Sequence, residues 1–266
     1  MYIQEHNELG YICTQWPIQP ELPTLILIHG AGLNHAQWQA QLEGLRDSAN
    51  VIALDLPGHS LSAHHEGEQS IAAYSQNIVE LMEALALKQA ILVGHSMGGA
   101  VCLEFATRYP ERAQALVLLN TGAKLKVQPA LLEQIRDNYP AYVDMMVQNT
   151  LTDGAAPEIV EPFADLLHQG DIESVVRDFE ACNAFDRLDV LAEIQCPALV
   201  LSAELDQMTP PKYGQYLADQ LDNSQFVVVE GAAHLSPMEH PDEVNQAITD
   251  FIDQLSRTYT RQTATA

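Results

Sequence analysis

Apolar positions along this chain follow two rhythms. Short uninterrupted apolar runs stand at residues 24–28, 51–54, 90–93, 115–119, 197–201 and 226–229. Runs of this length, bounded by turn residues, are expected of parallel strands covered on both faces. Between them, apolar residues return every three or four positions. Ile71, Tyr74, Ile78, Leu81, Met82 and Leu85 mark one face of a helix that starts at an N-cap on Ser70 and reaches about Leu87. A second helix is expected from the Gly94–Gly98 segment to Tyr109, where Pro110 stops it, and a last one over 242–255, with a polar tail after Ser256 that should fray. Two short segments near residues 2–6 and 10–15 alternate as an antiparallel hairpin would, before a loop marked by Pro17, Pro20 and Pro23.

Strands alternating with helices at this spacing imply right-handed crossovers and a mostly parallel sheet of about eight strands, an α/β fold. The rhythm breaks over residues 122–185. No strand-like run occurs there, and helices are expected at about 130–148, 158–168 and 172–181. The reading is one α/β core, 1–121 and 186–266, with a helical cap inserted at 122–185. Internal repeats and low-complexity linkers are not evident.

Composition narrows the class. With 266 residues and 47% hydrophobic content the chain can bury a substantial core. Its apolar runs fall well short of the roughly 20 residues that span a bilayer. The first residues lack a basic start followed by an apolar stretch, so the expectation is a soluble, cytoplasmic protein without signal or anchor. Twelve Lys and Arg against 36 Asp and Glu give a formal charge of -24. That charge repels phosphate backbones and anionic membranes, and it disfavours an acidic carrier protein as presenter of substrate. A small free substrate fits better; oligomeric state is left open. Cys13, Cys102, Cys182 and Cys196 lack metal or disulfide-scaffold spacing and read as buried thiols. His64 and His65 sit in a polar loop and read as a solvated turn, so no metal site is proposed.

Chemistry concentrates at strand ends. Gly94-His95-Ser96-Met97-Gly98 lies between a buried run and a helix. A serine at such a turn is held above the sheet edge, and residues two away must be small because the chain doubles back. A hydroxyl needs a base, and the base needs a group that fixes its tautomer. Both are available downstream. Asp206 follows the run ending at Leu201, and His234 follows the run ending at Val229. Glu204 is the alternative acid; Asp206 is preferred because the Met-Thr-Pro-Pro after it can open a helix. His95 should face away from the serine and serve structure. An oxyanion would be held by the backbone N–H groups of Met97, next to the nucleophile, and of Ala31, in the His29-Gly-Ala-Gly32 loop.

Together these residues resemble the α/β-hydrolase superfamily from about Thr24 to Leu255. His29-Gly30, Asp55-Leu-Pro-Gly58, Arg108-Tyr-Pro-Glu-Arg112, Cys196-Pro197 and Gly231-Ala-Ala-His234 stand in that family's order. The segment His29-Gly-Ala-Gly-Leu-Asn34 with Trp38 is similar to small microbial carboxylesterases, including the pimeloyl-carrier methyl esterase, and to enol-lactone hydrolases. The resemblance implies an eight-stranded sheet, a helical cap and no cofactor. Ser96 stands where epoxide hydrolases and haloalkane dehalogenases need an aspartate, which argues against both. One departure is Ser60, where the family often has glycine; a reshaped loop is expected if that glycine serves a positive φ.

The leading functional reading is hydrolysis of small carboxylic esters through an acyl-enzyme on Ser96. Lactone, enol-lactone or carbon–carbon hydrolysis by the same triad is the alternative, and a non-catalytic binding protein of this fold the third. Leu33, Leu125, Met145, Met146 and Leu235 are the candidate pocket wall, with plain helix packing as the competing role for cap residues such as Leu131.

Overall fold

The alternating hairpin becomes the strands β1 (Tyr2–His6) and β2 (Leu9–Cys13), and the six apolar runs become β3 (Thr24–Ile28), β4 (Asn50–Leu54), β5 (Ala90–His95), β6 (Ala113–Leu119), β7 (Ala198–Ala203) and β8 (Ser224–Val229). They form one sheet in the order β1-β2-β4-β3-β5-β6-β7-β8. The hairpin β1–β2 and its junction with β4 are antiparallel; all other pairings are parallel. This computed structural model describes residues 1–64 and 67–264. Of the polar turn expected at His64 and His65, the second histidine lies outside the described residues.

Strand alternation divides the core between the two faces. Ile26 and Ile28 pack on one side of β3 with Leu92, Leu116 and Leu118, under α2 (Ile71–Ala84) and α3 (Met97–Arg108). Leu25 and Leu27 pack on the other side with Val93 and Val117, against α1 (Gln39–Gly44) and the C-terminal helix. Full burial of such a side chain contributes about 1.5–3 kcal/mol, which is why both faces hold the central strands rigid. Edge strand β8 is different: Val227 and Val228 are exposed, so its apolar run is not a doubly covered strand.

Four helices are inserted between β6 and β7: α4 (Pro129–Asp137), α5 (Tyr139–Thr150), α6 (Pro157–His168) and α7 (Ile172–Ala184). The single helix expected over 130–148 is thus two. Asn138 breaks it, with φ −151° and ψ 73°, and its side chain accepts a hydrogen bond from the Ala141 N–H. Pro140 has no N–H to continue the ladder and disfavours helical geometry in the residue before it. The four helices share their own apolar cluster, which includes Tyr142, Val143, Phe163, Val175 and Phe179 and extends to Leu33 and Leu235 of the core.

The chain ends with α8 (Pro211–Gln220), α9 (Ser236–Glu239) and α10 (Pro241–Ala264). Helix α10 runs past the expected end near Leu255, since neither glycine nor proline interrupts the residues beyond it. The four cysteines are free thiols; Cys13, Cys102 and Cys182 are buried as expected, whereas Cys196 is half-buried. Among the described residues no helix is long and apolar enough to cross a membrane. At Ser60 the chain keeps a positive φ of 39° with a serine, so the loop retains the turn that glycine would make easier.

Candidate active site

Ser96 sits between β5 and α3 with φ 52° and ψ −115°. A non-glycine residue there stores about 1–3 kcal/mol of strain, which the surroundings must hold. They do so by close packing. A Cβ on Gly98 would lie 2.1 Å from the Ile28 carbonyl oxygen, and one on Gly94 would lie 2.2 Å from the Gly98 oxygen. The Ser96 N–H donates to the Leu119 carbonyl at 2.9 Å, and the Thr121 hydroxyl donates to the Ser96 carbonyl at 2.8 Å. The turn is thereby clamped on both sides.

Ser96 Oγ lies 3.1 Å from His234 Nε2, and His234 Nδ1 lies 2.8 Å from Asp206 Oδ2. The structure therefore brings together three residues that the sequence spreads over more than half its length. Asp206 follows β7 and His234 follows β8, so both descend from the edge of the sheet where β5 delivers Ser96. Burial alone would raise the Asp206 pKa. His234 beside it and hydrogen bonds from the Thr209 N–H and hydroxyl, at 2.9 and 2.8 Å, outweigh that and lower it to about 2. An ionised carboxylate at Nδ1 favours the tautomer that leaves Nε2 free to accept a proton from serine. Glu204 is exposed and accepts instead from the Gly231 N–H at 2.9 Å.

The Met97 N–H begins α3, where backbone donors lack helical partners. In the loop after β3, the Gly30 N–H donates to Gln37 and the Gly32 N–H to Asp178. The Ala31 N–H between them, like that of Met97, has no protein acceptor among the described residues. Two backbone donors without a protein acceptor thus stand in the loop after β3 and at the start of α3, next to Ser96 in the chain.

Comparison with known proteins decides the family. Residues 25–247 match the model of the alpha/beta hydrolase family. The chain belongs to that family. It is similar to 3-oxoadipate enol-lactonase 2 of Acinetobacter baylyi, at 30% identity over 86% of this chain and 88% of that protein. It is equally similar to the pimeloyl-[acyl-carrier protein] methyl ester esterase of Neisseria meningitidis, at 30% identity over 85% and 92%. A thermophilic esterase of Thermogutta terrifontis, solved with malate bound, superposes with a TM-score of 0.84 at 29% identity, over 93% of each chain. As an alpha/beta hydrolase with relatives of these names, the chain is a hydrolase.

In this alpha/beta hydrolase, Ser96 and His234 open onto a cavity of about 500 Å³. Its wall includes Ala31, Leu125, Val127, Phe179, Leu188, Met208, Tyr213 and Tyr216. A second, narrow space of about 20 Å³ beside Ser96 is lined by Leu33, Met146, Phe163 and Leu235 among others. Four of the five expected pocket residues therefore reach one of the two spaces. Met145 reaches neither and packs half-buried against the apolar cluster of the inserted helices. Neighbouring residues on a helix point about 100° apart, so Met145 and Met146 cannot both face the serine. Leu131 likewise packs in that cluster.

Asn120 and Thr209 were beyond reach of the sequence, whereas a structural His95 was expected. Asn120, at φ 47°, donates through Nδ2 to the His234 carbonyl at 2.7 Å. The same carbonyl lies 2.7 Å from His95 Nε2, so this ring carries its proton there and turns away from Ser96. Burial and the adjacent His234 lower the His95 pKa to about 3, keeping it neutral. The Thr209 hydroxyl lies 2.8 Å from Asp206 Oδ2 and 2.7 Å from the Asn120 carbonyl, tying the loops after β6 and β7 together.

A buried polar cluster stands behind the Ala31 loop. Asp178, on α7, accepts from the Gly32 N–H at 2.8 Å and the Tyr74 hydroxyl at 2.6 Å, and its Oδ2 lies 2.9 Å from His59 Nε2. Burial would raise the Asp178 pKa, but His59 and the two donors lower it; for His59 burial would lower the pKa, but Asp178 raises it. Asp178 thereby ties α7 to the segment after β4 through His59 and to the loop that carries Ala31 through the Gly32 N–H. His29, held down to about 4 by burial and by His59, is neutral beside it, with Nδ1 donating to the Gly30 carbonyl and Nε2 accepting from the Leu56 N–H.

Proposed function

We propose that this chain is a serine-dependent carboxylic ester hydrolase acting on small, freely diffusing esters. Ser96 Oγ attacks the ester carbonyl while its proton passes to His234 Nε2. The resulting oxyanion accepts hydrogen bonds from the N–H groups of Ala31 and Met97. As the tetrahedral adduct collapses, His234 returns the proton to the departing alkoxide, leaving an acyl group on Ser96. Water then attacks this ester, with His234 first taking and then returning a proton, and the carboxylic acid leaves. Asp206 keeps His234 oriented and balances its charge when protonated.

The observation that carries this reading is the chain of contacts from Ser96 Oγ to His234 Nε2 at 3.1 Å and from His234 Nδ1 to Asp206 Oδ2 at 2.8 Å, opening on a cavity whose wall is largely but not wholly apolar. Residues 122–185 act in this proposal as a cap that shapes the cavity, contributing Leu125, Val127, Met146 and Phe179 to its walls. A cytoplasmic setting belongs to the same proposal and is supported by four unpaired thiols.

A lactone is the second reading, favoured by similarity to the Acinetobacter enol-lactonase. A cyclic ester passes through the same tetrahedral adduct, and only the tethered leaving group differs. The test is a panel of p-nitrophenyl esters, lactones and vinylogous diketones, compared by kcat/KM. A simple short-chain ester is expected to be the best substrate; faster turnover of a lactone or a diketone would overturn the ranking.

A further inference from the structure

Positive charge is scarce in this chain and unevenly placed. It has four lysines, and three of them, Lys124, Lys126 and Lys212, line the cavity that opens from Ser96. Among the described residues no Asp or Glu lines it. On a surface carrying a formal charge of -24, a cavity wall with only cations among its charged groups is a local reversal of sign. Such a reversal raises the local concentration of anions and orients them on entry.

The lysines are not equally free. Lys124 forms an ion pair with Asp186, and the two residues also pair as an isolated β-bridge, so its charge is largely spent on closing the base of the inserted helices. Lys126 and Lys212 meet no carboxylate at ion-pair distance among the described residues, and both are exposed. Lys212 Nζ lies 5.5 Å from the centre of the Tyr213 ring, which also lines the cavity. These two ammonium groups, of which Lys126 also feels the Asp186 carboxylate at longer range, come from the loop after β6 and from the first turn of α8, on a wall that includes apolar side chains such as Leu125 and Val127.

Resting on the ester-hydrolase reading, we infer that the substrate carries a carboxylate remote from its scissile ester, held by Lys126 and Lys212. The ester carbonyl is placed at Ser96, an apolar segment crosses the cavity, and the free carboxylate meets the two lysines. An ammonium is a compact point charge that tolerates several approach angles, so the site selects for charge at that end more than for shape.

The test compares monomethyl esters of straight-chain dicarboxylic acids with methyl esters of monocarboxylic acids of the same length, by methanol release near neutral pH. At low salt the monoesters are expected to be preferred by roughly tenfold in kcat/KM, mainly through KM, because each exposed contact between opposite charges contributes little on its own. Added KCl should shrink the ratio as exposed charges are screened. Lys126→Gln and Lys212→Gln should each lower the ratio, and Lys212→Glu should bring it below one; a purely structural role would lower both rates and leave the ratio where it was. Equal use of the two series, or failure to cleave the monoesters, by an enzyme that still takes a fluorophosphonate label on Ser96 overturns this inference and leaves the hydrolase reading standing. A wild-type preference that the lysine substitutions do not move also overturns it, and would place recognition of the carboxylate elsewhere. If neither series is cleaved and Ser96 takes no label, both fall.

Discussion

Replacement of Ser96 by alanine is expected to lower kcat for ester hydrolysis by about 10⁴- to 10⁶-fold while leaving the fold intact. A loss of that size corresponds to roughly 5–8 kcal/mol of barrier, more than any single supporting contact supplies. The asymmetry has a structural cause. Ser96 is part-exposed at the cavity, and its Oγ makes one hydrogen bond, to His234. Removing it breaks no backbone contact of the turn, whose clamps at Leu119 and Thr121 use the Ser96 main chain. The measurement is kcat/KM on the best p-nitrophenyl ester together with thermal unfolding. A variant that melts like the parent and retains more than a trace of its activity would place the nucleophile elsewhere.

The second large effect is predicted at Asp178. Asp178→Asn leaves His59 buried without its counter-charge and deprives the Gly32 N–H and the Tyr74 hydroxyl of a charged acceptor. Breaking a buried pair by removing one partner costs about 3–5 kcal/mol, and for a chain of this size that lowers Tm by roughly 10 °C. Activity should fall as well, by about an order of magnitude, because the Ala31 N–H sits one residue before Gly32 and small displacements of an oxyanion donor are costly.

The pH dependence of that stability loss has a definite sign. His59 is raised above its ordinary 6.5, so its share is fully present below 6.5 and is lost as pH rises through the raised value. Asp178 is lowered below its ordinary 3.8, so its share is present above 3.8 and is lost as pH falls through the lowered value. The gap in Tm between the parent and Asp178→Asn should therefore be widest between about pH 4 and 6.5 and narrow on the alkaline side. His29, with a pKa of about 4, is neutral over most of that window and adds little to the slope. A gap that stays flat from pH 5 to pH 9, on the order of the usual working range, would mean that the pair is not charged in the native state.

What the sequence revealed, and what it hid, follows from how far each interaction reaches along the chain. Strands β3 to β7 were legible because burial on both faces writes an uninterrupted apolar run. Ser96 was legible because its neighbours Gly94 and Gly98 are dictated by local backbone crowding, and Asp206 and His234 because they follow strand ends. The break at Asn138 was also written locally, in a capping asparagine two residues before Pro140, but the apolar periodicity across 130–148 masked it. By contrast, Asp178 is one acid among 36, and its partners at Gly32, His59 and Tyr74 lie more than a hundred residues away. The gathering of Lys126 and Lys212 at one cavity is equally non-local, since they belong to elements on either side of the inserted helices. Met145 and Met146 show the remaining limit: composition cannot say which of two adjacent methionines a helix turns toward the serine.

The most direct test of the proposed mechanism is to stop the reaction with acid in its first turnovers and map the Ser96 peptide by mass spectrometry, using an activated ester that acylates faster than the acyl group is released. The proposed mechanism predicts a transient mass increase equal to the acyl group on Ser96, appearing with a burst of leaving group and absent from Ser96→Ala. A burst-free reaction whose product accumulates with Ser96 unmodified, or with the acyl group on another residue, would contradict it.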